Sequence, residues 1–265
     1  MSPVAAGGFS SAAGNYARVR PTYARQAIGA MAEAIPVGPV LDVGAGTGIL
    51  TGQLRRAGLE MHACEPLPEM LAHLRRALPE VPSMSAVAES LPVRTGTYGG
   101  VTIAQAFHWM DHRVTLGEVS RVLIDDGVLA LVWNVRDESV GWVGDLTDLI
   151  ERRSGGRPYA DERELDWSEV VEGSGGFAHL LTQRWANPVS ASVERIVQRV
   201  RSTSFVAMMD NRSRASLEAE VRELLAADPE VAGRAAFDYP HTTVLHMWRC
   251  SRPARHRSQG RTAAT

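Results

Sequence analysis

The stretch Val40-Leu41-Asp42-Val43-Gly44-Ala45-Gly46-Thr47-Gly48 decides the fold of this chain. Its first four residues are mostly apolar and β-prone, which predicts a buried strand. Glycines then stand at alternate positions, 44, 46 and 48, where the backbone must turn sharply and a ligand can approach it closely. The apolar residues from Ile49 to Leu59 recur at roughly helical spacing. This strand–turn–helix pattern predicts a site for a nucleotide-like ligand at the carboxyl ends of the strands of a sheet.

Outward from this stretch, strand-like and helix-like segments alternate as far as Asn134. Strands are predicted at 40–43, 60–65, 83–87, 100–105 and 128–133, with helices over 49–57, 68–77 and 111–123 and a turn at 125–127. A further helix over 22–34, with Thr22 as its N-cap, is expected before the first strand. Strands separated by helices of this length predict an α/β fold, a doubly wound parallel sheet with helices on both faces.

The pattern changes after Asn134. Residues 135–176 contain a predicted helix over 142–153, and we interpret this insertion as a lid over the strand ends, between strands five and six. Strand character resumes at 177–189, followed by amphipathic helices over 193–204 and 213–227 and a last strand over 238–250. We expect a flexible N-terminus over 1–15, one domain over 16–250 and a disordered tail over 251–265.

The composition restricts the kinds of partner. The chain has 265 residues, a net charge of -2 and 45% hydrophobic residues, as in ordinary globular proteins. A charge so near zero provides no general attraction to nucleic acid or to a membrane surface. The two cysteines, Cys64 and Cys250, have neither a disulfide pattern nor metal-ligand spacing, so no metal is predicted. We expect a cytoplasmic protein, a monomer or homodimer, that acts on a small molecule.

The glycine spacing narrows the choice of ligand. A dinucleotide fingerprint, Gly-x-Gly-x-x-Gly, needs its third glycine where this chain has Ile49. Glycines at alternate positions after an acidic Asp42 are better suited to a smaller, cationic nucleoside. Glu65 ends the second strand, and its carboxylate can accept hydrogen bonds from both hydroxyls of a ribose. After the third strand, Val87 and Ala88 are placed to wall off an adenine ring.

The fourth strand ends in Gln105-Ala106-Phe107-His108-Trp109, a combination of imidazole and aromatic side chains. Imidazole can accept a proton near neutral pH, and aromatic faces attract a cation. A hydroxyl or amine nucleophile needs a base, for which His108 is the candidate. A carboxylate nucleophile needs no base, and His108 would then only orient it. In that case Arg136 could pair with a second carboxylate of the acceptor.

The ordered set of motifs resembles the class I S-adenosylmethionine-dependent methyltransferases. It consists of residues 40–48, Glu65-Pro66, Ala88-Glu89-x-Leu-Pro and residues 105–109. Three further segments, 16–23, 132–134 and 237–243, resemble the branch that includes trans-aconitate methyltransferase. The resemblance covers residues 9–250. It implies a Rossmann-like sheet of seven strands, the last of them antiparallel, and S-adenosyl-L-methionine as the methyl donor.

The resemblance also implies a set of site residues. Donor contacts are expected from Tyr16, Arg20, Asp42, Gly44, Ala45, Gly46, Glu65, Pro66, Met70, Ala88, Glu89 and Gln105. Of these, Tyr16 and Arg20 are expected at the carboxylate end of the donor, because the N-terminal segment of relatives folds over it. Acceptor contacts are expected from Tyr23, Phe107, Trp109, Arg136 and Trp142. The chain departs from many relatives at Val87, where they have an acidic residue.

The function that follows is methyl transfer to a small molecule, at an oxygen atom of a carboxylate or hydroxyl. Two alternatives stay open at the level of sequence. One keeps the donor and places the methyl group on nitrogen or carbon of a specialised metabolite. The other is a nicotinamide-dependent oxidoreductase, against which Ile49 argues.

Overall fold

A mixed seven-stranded β-sheet lies at the centre of the molecule. The computed structural model describes residues 20–154, 165–203, 206 and 209–251. The strands of the sheet are β1 (Val40–Val43), β2 (Met61–Cys64), β3 (Ser83–Met84), β4 (Tyr98–Ala104), β5 (Leu123–Arg136), β6 (Phe177–Ala186) and β9 (His241–Cys250). Two short strands, β7 (Val189–Ala191) and β8 (Phe237–Tyr239), pair separately with each other.

The strand order in the sheet is β3-β2-β1-β4-β5-β9-β6. The first five strands are parallel to one another, and β9 runs antiparallel between β5 and β6. The order reverses direction at β1 and β4, so the carboxyl ends of these two strands flank a crevice. The predicted fold class, a doubly wound seven-stranded sheet with its last strand antiparallel, is confirmed.

Eight helices are described. They are α1 (Arg25–Ala34), α2 (Ile49–Arg56), α3 (Pro68–Ala77), α4 (His112–Val122), α5 (Gly141–Ser154), α6 (Trp167–Gly173), α7 (Val193–Arg201) and α8 (Asn211–Ala227). The prediction that Thr22 caps the first helix is wrong, because α1 begins at Arg25 after Ala24. The carbonyl of Thr22 instead accepts hydrogen bonds from distant asparagines, which hold the chain extended at this point.

Two local features differ from the predicted elements. The turn expected at 125–127 is a bulge inside β5, where Asp126 has a φ of 61° and the register with β4 shifts. The last strand is divided at Pro240, because proline has no N–H to donate to a ladder. Residues 237–239 therefore form β8, and β9 begins at His241.

Three hydrophobic clusters stabilise the molecule. One lies on each face of the central sheet. The third joins α5 to α7, α8 and the β7–β8 pair, so it forms a separate packed unit beside the sheet. Segment 135–176 thus places α5 in this unit and α6 against the sheet itself. In the described part of the chain, no helix combines the length and apolarity needed to cross a membrane.

Candidate active site

The glycine turn after β1 is held open at the crevice. Gly44 and Gly46 have φ angles of 68° and 56°, in the left-handed region that glycine adopts at little cost. The N–H groups of Gly44 and Ala45 donate to the carbonyl of Cys64 at 2.8 and 3.1 Å. The turn is therefore tied to the end of β2, one residue before Glu65.

Glu65 bridges the glycine turn and the start of α3. Its Oε2 accepts a hydrogen bond from the N–H of Gly46 at 2.8 Å, and its Oε1 accepts one from the N–H of Leu67 at 2.9 Å. The residue is 5% exposed, and burial raises the pKa of its carboxyl although both N–H groups oppose that shift. Each carboxylate oxygen has a second lone pair, so the side chain can still accept hydrogen bonds from a ligand.

A first cavity, enclosing about 710 Å³, extends from the glycine turn to the end of β4. Eight of the expected donor residues are in its wall, with Trp109 from the expected acceptor set. The full lining is Gly44, Gly46, Glu65, Pro66, Leu67, Met70, Val87, Ala88, Glu89, Ala104, Gln105, Ala106, Trp109 and Met110.

A second cavity, of about 450 Å³, continues from the first toward the N-terminal segment. Gly44, Gly46, Ala104 and Gln105 line both cavities, which are thus two halves of one cleft. The second half adds Arg20, Pro21, Tyr23, Ala45, Thr47, Ile49 and Leu50. The buried hydroxyl of Thr47 has no hydrogen-bond partner among the described residues. This half therefore offers a cation and a free hydroxyl to a polar ligand end, while Tyr16 lies outside the described residues.

Segment 20–24 is clamped against the second cavity by side chains from remote parts of the chain. Asn134, at the end of β5, donates to the carbonyl of Thr22 at 3.1 Å, and Asn187 donates to the same carbonyl at 2.7 Å. Thr243 accepts from the N–H of Ala24 at 3.0 Å and donates to Asn134 Oδ1 at 2.5 Å. The segment that walls the cavity is therefore positioned by β5, β9 and the β6–β7 link.

We expect Asn187→Ala to weaken donor binding by about 1–2 kcal/mol, because it removes two hydrogen bonds worth roughly 0.5–1.5 kcal/mol each. The lost bonds are those to the Thr22 carbonyl and to Asn134 Oδ1, at 2.7 and 3.1 Å. Calorimetric titration with S-adenosylhomocysteine measures the effect. The matched control is Thr97→Ala, which removes an exposed 2.7 Å bond far from the cleft. Equal affinities in all three proteins would contradict a role for the clamp.

Gln105 connects the clamp to the end of β4. It is one of two described non-glycine residues with positive φ, at 55°, a conformation that most side chains disfavour. Its Nε2 donates to the backbone carbonyl of Asn134 at 3.0 Å, and its N–H donates to Val132. These bonds hold the strained turn in place, so the backbone of Gln105 and Ala106 stays in the wall of the cleft.

Asp42 does not line the cleft, contrary to the expectation of a donor contact. It is 1% exposed, and its two oxygens accept hydrogen bonds from Thr51 at 2.5 Å and Thr102 at 3.0 Å. Asp42 lies inside β1, where a side chain adjoins α2 and β4 rather than the strand end. It therefore ties the helix after the glycine turn to the sheet, and burial raises the pKa of its carboxyl to about 6.

This raised pKa predicts a dependence of stability on pH. Between about 4 and 6 the folded state binds more protons at Asp42 than the unfolded state, so stability falls as pH rises through this window. Asp42→Asn cannot titrate, and we expect its stability relative to the native chain to increase from pH 4 to pH 6. Denaturant unfolding at a series of pH values checks this, with the exposed Asp148→Asn as the control. A constant difference over this range would contradict the prediction.

His108 lies in a short 3₁₀ turn, Phe107–Trp109, and is next to the cleft wall but lines neither of its halves. Its ring centroid is 5.2 Å from that of Trp109, which lines the first cavity. Burial, together with the smaller electrostatic effects of His112 and Arg20, lowers the pKa of His108 to about 3. The imidazole is thus neutral at physiological pH and has little affinity for a proton, which disfavours the predicted role as a general base.

Two expected acceptor residues lie in the core instead. Phe107 is fully buried, with its ring stacked on His112 at 4.7 Å and at 5.5 Å from Trp167. Trp142 is 2% exposed and packs against Phe237 and Tyr239 in the α5–α7–α8 unit. Both expectations are corrected because the aromatic side chains point into hydrophobic clusters.

Arg136, the last residue of β5, is half-buried and lines neither half of the cleft. Its guanidinium donates to Thr147 on α5 at 3.2 Å. Tyr23, another expected acceptor residue, lines the second cavity. Its backbone N–H donates to Oε1 of Gln53, and its carbonyl accepts from Nε2 of the same side chain. The acceptor roles of Arg136, Tyr23 and Trp109 remain predictions.

Several lining residues escaped the sequence analysis. Three of them lie inside a quoted motif or directly after one: Thr47, Leu67 and Met110. Their position next to the motifs could have identified them. Asn187 is far from every quoted motif in the sequence, and no local pattern marks it. Thr243 ends the quoted segment 237–243, but that segment gave no sign that Thr243 bonds to residue 24 and to Asn134.

Known proteins match the chain along most of its length. A methyltransferase domain model matches residues 41–131. An uncharacterized methyltransferase of Mycobacterium tuberculosis is 37% identical over 236 residues, covering 89% of this chain and 93% of the relative. The malonyl-[acyl-carrier protein] O-methyltransferase of Alcanivorax borkumensis is 28% identical over 188 residues, covering 68% and 62%. The fold matches a structure described as a type II methyltransferase from Anaeromyxobacter dehalogenans, with a TM-score of 0.63, 23% identity and coverage of 88% and 97%.

Proposed function

The chain belongs to the S-adenosylmethionine-dependent methyltransferases, and from that premise we propose that it methylates a carboxylate oxygen of a small molecule. The enzyme class and the donor exclude the nicotinamide-dependent alternative. The acceptor is the open question. The observation that carries the proposal is the neutral, weakly basic imidazole of His108 beside the cleft.

The residues of the cleft fit the donor. Glu65 has free acceptor capacity for the ribose hydroxyls, and Met70, Val87 and Ala88 provide apolar walls for the adenine. A Cβ at Gly44 would lie 2.9 Å from Ala106 Cβ. Only glycine therefore fits at this position, and its bare backbone lets a ligand approach the turn closely. Thr47 and Arg20 in the second cavity suit the amino-acid end. When bound, S-adenosylmethionine supplies a methyl group activated by the adjacent sulfonium.

The acceptor atom follows from the weak basicity of His108. A hydroxyl or ammonium group must lose a proton to become a nucleophile, and an imidazole with a pKa of about 3 accepts that proton poorly. A carboxylate is already ionised at neutral pH, so the site needs only to hold and align it. His108 then orients the carboxylate, and the apolar side chains of Trp109 and Met110 exclude water. The relative from Alcanivorax borkumensis, an O-methyltransferase, supports transfer to oxygen.

A panel of matched acceptors tests the proposal. The purified protein is incubated with S-adenosylmethionine and small mono- and dicarboxylic acids, or with alcohols and amines of the same carbon skeleton. We expect S-adenosylhomocysteine to form with acids, and the product to lose its methyl group in mild alkali as an ester does. Turnover confined to amines, with an alkali-stable product, would overturn the proposal.

We expect His108→Ala to reduce turnover about five- to twelvefold while the affinity for S-adenosylhomocysteine changes less than about twofold, because one orienting contact is worth about 1–1.5 kcal/mol. For the native protein, kcat/KM should show no inflection between pH 6 and pH 8 from this imidazole. Steady-state kinetics over this range check both points. An inflection near pH 6.5 that disappears in His108→Ala would show that His108 acts as a base.

A further inference from the structure

One wall of the first cavity belongs to a connection that has no helix of its own. Residues 85–97 join β3 to β4, and Val87, Ala88 and Glu89 of this connection line the cavity. Helices α2 and α3 follow β1 and β2 in the same sheet, but here the chain forms only turns and extended backbone. Its peptide groups therefore need hydrogen-bond partners from other elements. We refer to residues 87–93 as the cavity loop.

An ion pair on α4 supplies such partners. The guanidinium of Arg121 donates to the two carboxylate oxygens of Glu118 at 2.7 and 2.8 Å. Oε2 of Glu118 also accepts a hydrogen bond from the N–H of Leu91 at 2.8 Å. The same guanidinium donates to the carbonyls of Leu91 and Val93 at 2.9 and 2.7 Å. One bidentate pair thus satisfies three backbone groups of the cavity loop.

The chemistry of this pair suits it to hold the loop in one position. The side chains of Glu118 and Arg121 are 20% and 31% exposed, so solvent screens their interaction less than that of a fully exposed pair. The hydrogen bonds from Arg121 hold the pKa of the Glu118 carboxyl below its ordinary value, so the pair stays charged at neutral pH. A planar guanidinium with five donors can bind a carboxylate and two carbonyls at once, which a lysine ammonium cannot do in the same geometry.

A second attachment holds the loop at the cavity itself. Oε1 of Glu89 accepts a hydrogen bond from the N–H of Asp111 at 3.1 Å, and Asp111 caps α4 by accepting from the N–H of Val114. Helix α4 therefore holds the loop at two places, through its N-cap at Glu89 and through its C-terminal half at residues 91–93. The peptide groups of Ala88 and Glu89 in the cavity wall are fixed between these attachments.

We propose that Glu118 and Arg121 are positioning residues for the methyl donor, which act through the cavity loop to fix the polar groups that recognise the edge of its adenine. Neither residue lines either half of the cleft, so both act through the backbone of the loop. A fixed acceptor can pair with the 6-amino group of adenine, whereas a carbonyl at the same position of the base would leave it unpaired. The proposal rests on the adenine site in the first cavity, which is part of the proposed function.

The test compares two nucleosides that differ at one position of the base. Calorimetric titration measures the affinity of the full chain for S-adenosylhomocysteine and for S-inosylhomocysteine, which has a carbonyl in place of the 6-amino group. We expect the native protein to bind the adenine compound about tenfold more tightly. Arg121→Met should weaken the binding of S-adenosylhomocysteine about tenfold and reduce the preference to less than about threefold. Arg121→Lys keeps the charge without the bidentate geometry and should give an intermediate preference.

A matched control lies in the α5–α7–α8 unit. Arg201 and Glu218 form a bidentate pair with the same distances, 2.7 and 2.8 Å, and line neither half of the cleft. We expect Arg201→Met to keep the native affinity for S-adenosylhomocysteine and the native preference. The preference is a ratio of two affinities measured on the same protein, so an unfolded fraction of a variant does not change it. Glu118→Gln is a second variant of the cavity-loop pair and should also reduce the preference.

Equal affinities of the native protein for the two nucleosides would overturn the proposal. So would a native preference in both Arg121→Met and Glu118→Gln, even with weaker binding of both compounds, because the pair would then only stabilise the fold. Val87→Trp separates this outcome from a failure of the proposed function, since Val87 is 41% exposed and an indole there would enter the adenine site. Native affinity of Val87→Trp for S-adenosylhomocysteine would overturn the adenine site and the positioning role together, whereas weaker binding supports the site. Binding is read without an acceptor, so a failure of carboxylate methylation affects only the proposed function.

Discussion

We expect Glu65→Gln to weaken the binding of S-adenosylhomocysteine by about 1.5–3 kcal/mol, roughly tenfold to 150-fold. The loss has two physical sources. The amide has a single acceptor oxygen, so it cannot accept hydrogen bonds from both ribose hydroxyls. Its NH₂ group must also face the N–H of Gly46 or of Leu67, which the carboxylate oxygens accept at 2.8 and 2.9 Å in the native chain.

Calorimetric titration of the purified variant measures this loss. Glu60→Gln is the matched control, because Glu60 is exposed and precedes the opposite end of β2. This variant loses the same negative charge as Glu65→Gln, and its affinity for S-adenosylhomocysteine should stay within about twofold of the native value. Native affinity in Glu65→Gln would remove the ribose role of Glu65 and leave its carboxylate only a structural link between the glycine turn and α3.

Gly44→Ala should impair both folding and donor binding. At a φ of 68° an alanine carries a strain of about 1–2 kcal/mol. Its Cβ would also lie 2.9 Å from Ala106 Cβ and 3.3 Å from Met110 Cε, and overpacking of this kind costs about 1–3 kcal/mol. We therefore expect the free energy of unfolding to fall by roughly 2–5 kcal/mol, and the cleft to narrow where its two halves meet.

Gly46→Ala provides the matched comparison for the steric part of this effect. Gly46 has a similar φ of 56°, but a Cβ there would meet nothing within 4 Å. Its loss of stability should therefore be limited to the strain of about 1–2 kcal/mol. Denaturant unfolding of both variants without ligand measures the difference. Equal losses would mean that the end of β4 moves freely to accommodate the added methyl group at residue 44.

The elements that local patterns specify strongly were predicted with accurate bounds. β1 and α3 begin and end at the predicted residues, because the first is a mostly apolar run that ends at a glycine turn and the second begins with a proline in its first turn. The third strand, predicted over 83–87, is only Ser83–Met84, since it lies at the edge of the sheet and pairs along two residues. Edge strands depend on a single neighbour, which a sequence pattern does not reveal.

For the site, the sequence correctly placed in the cleft the residues that lie on a turn or at a strand end. It did not predict which way the side chains of helical turns point. Gly44, Glu65 and Gln105 line the cleft because the carboxyl ends of parallel strands meet at one edge. Phe107 and Trp142 were expected in the acceptor pocket, but both are buried in the core. Successive residues of a helical turn point in different directions, so a shift of one position decides whether an aromatic side chain enters the core or the cleft. Hydrophobic burial favours the core for both.

The sequence by itself determined the doubly wound sheet, the methyl donor and the edge of the sheet at which the cleft lies. These properties depend on short stretches in which backbone conformation and residue type are coupled locally. Only the tertiary structure revealed the Asn134–Asn187–Thr243 clamp and the low basicity of His108. The clamp brings together β5, β9 and a residue after β6, and the pKa of His108 is lowered by burial and by the distant Arg20. Hydrogen bonding and desolvation act through space, between residues that local sequence patterns do not connect.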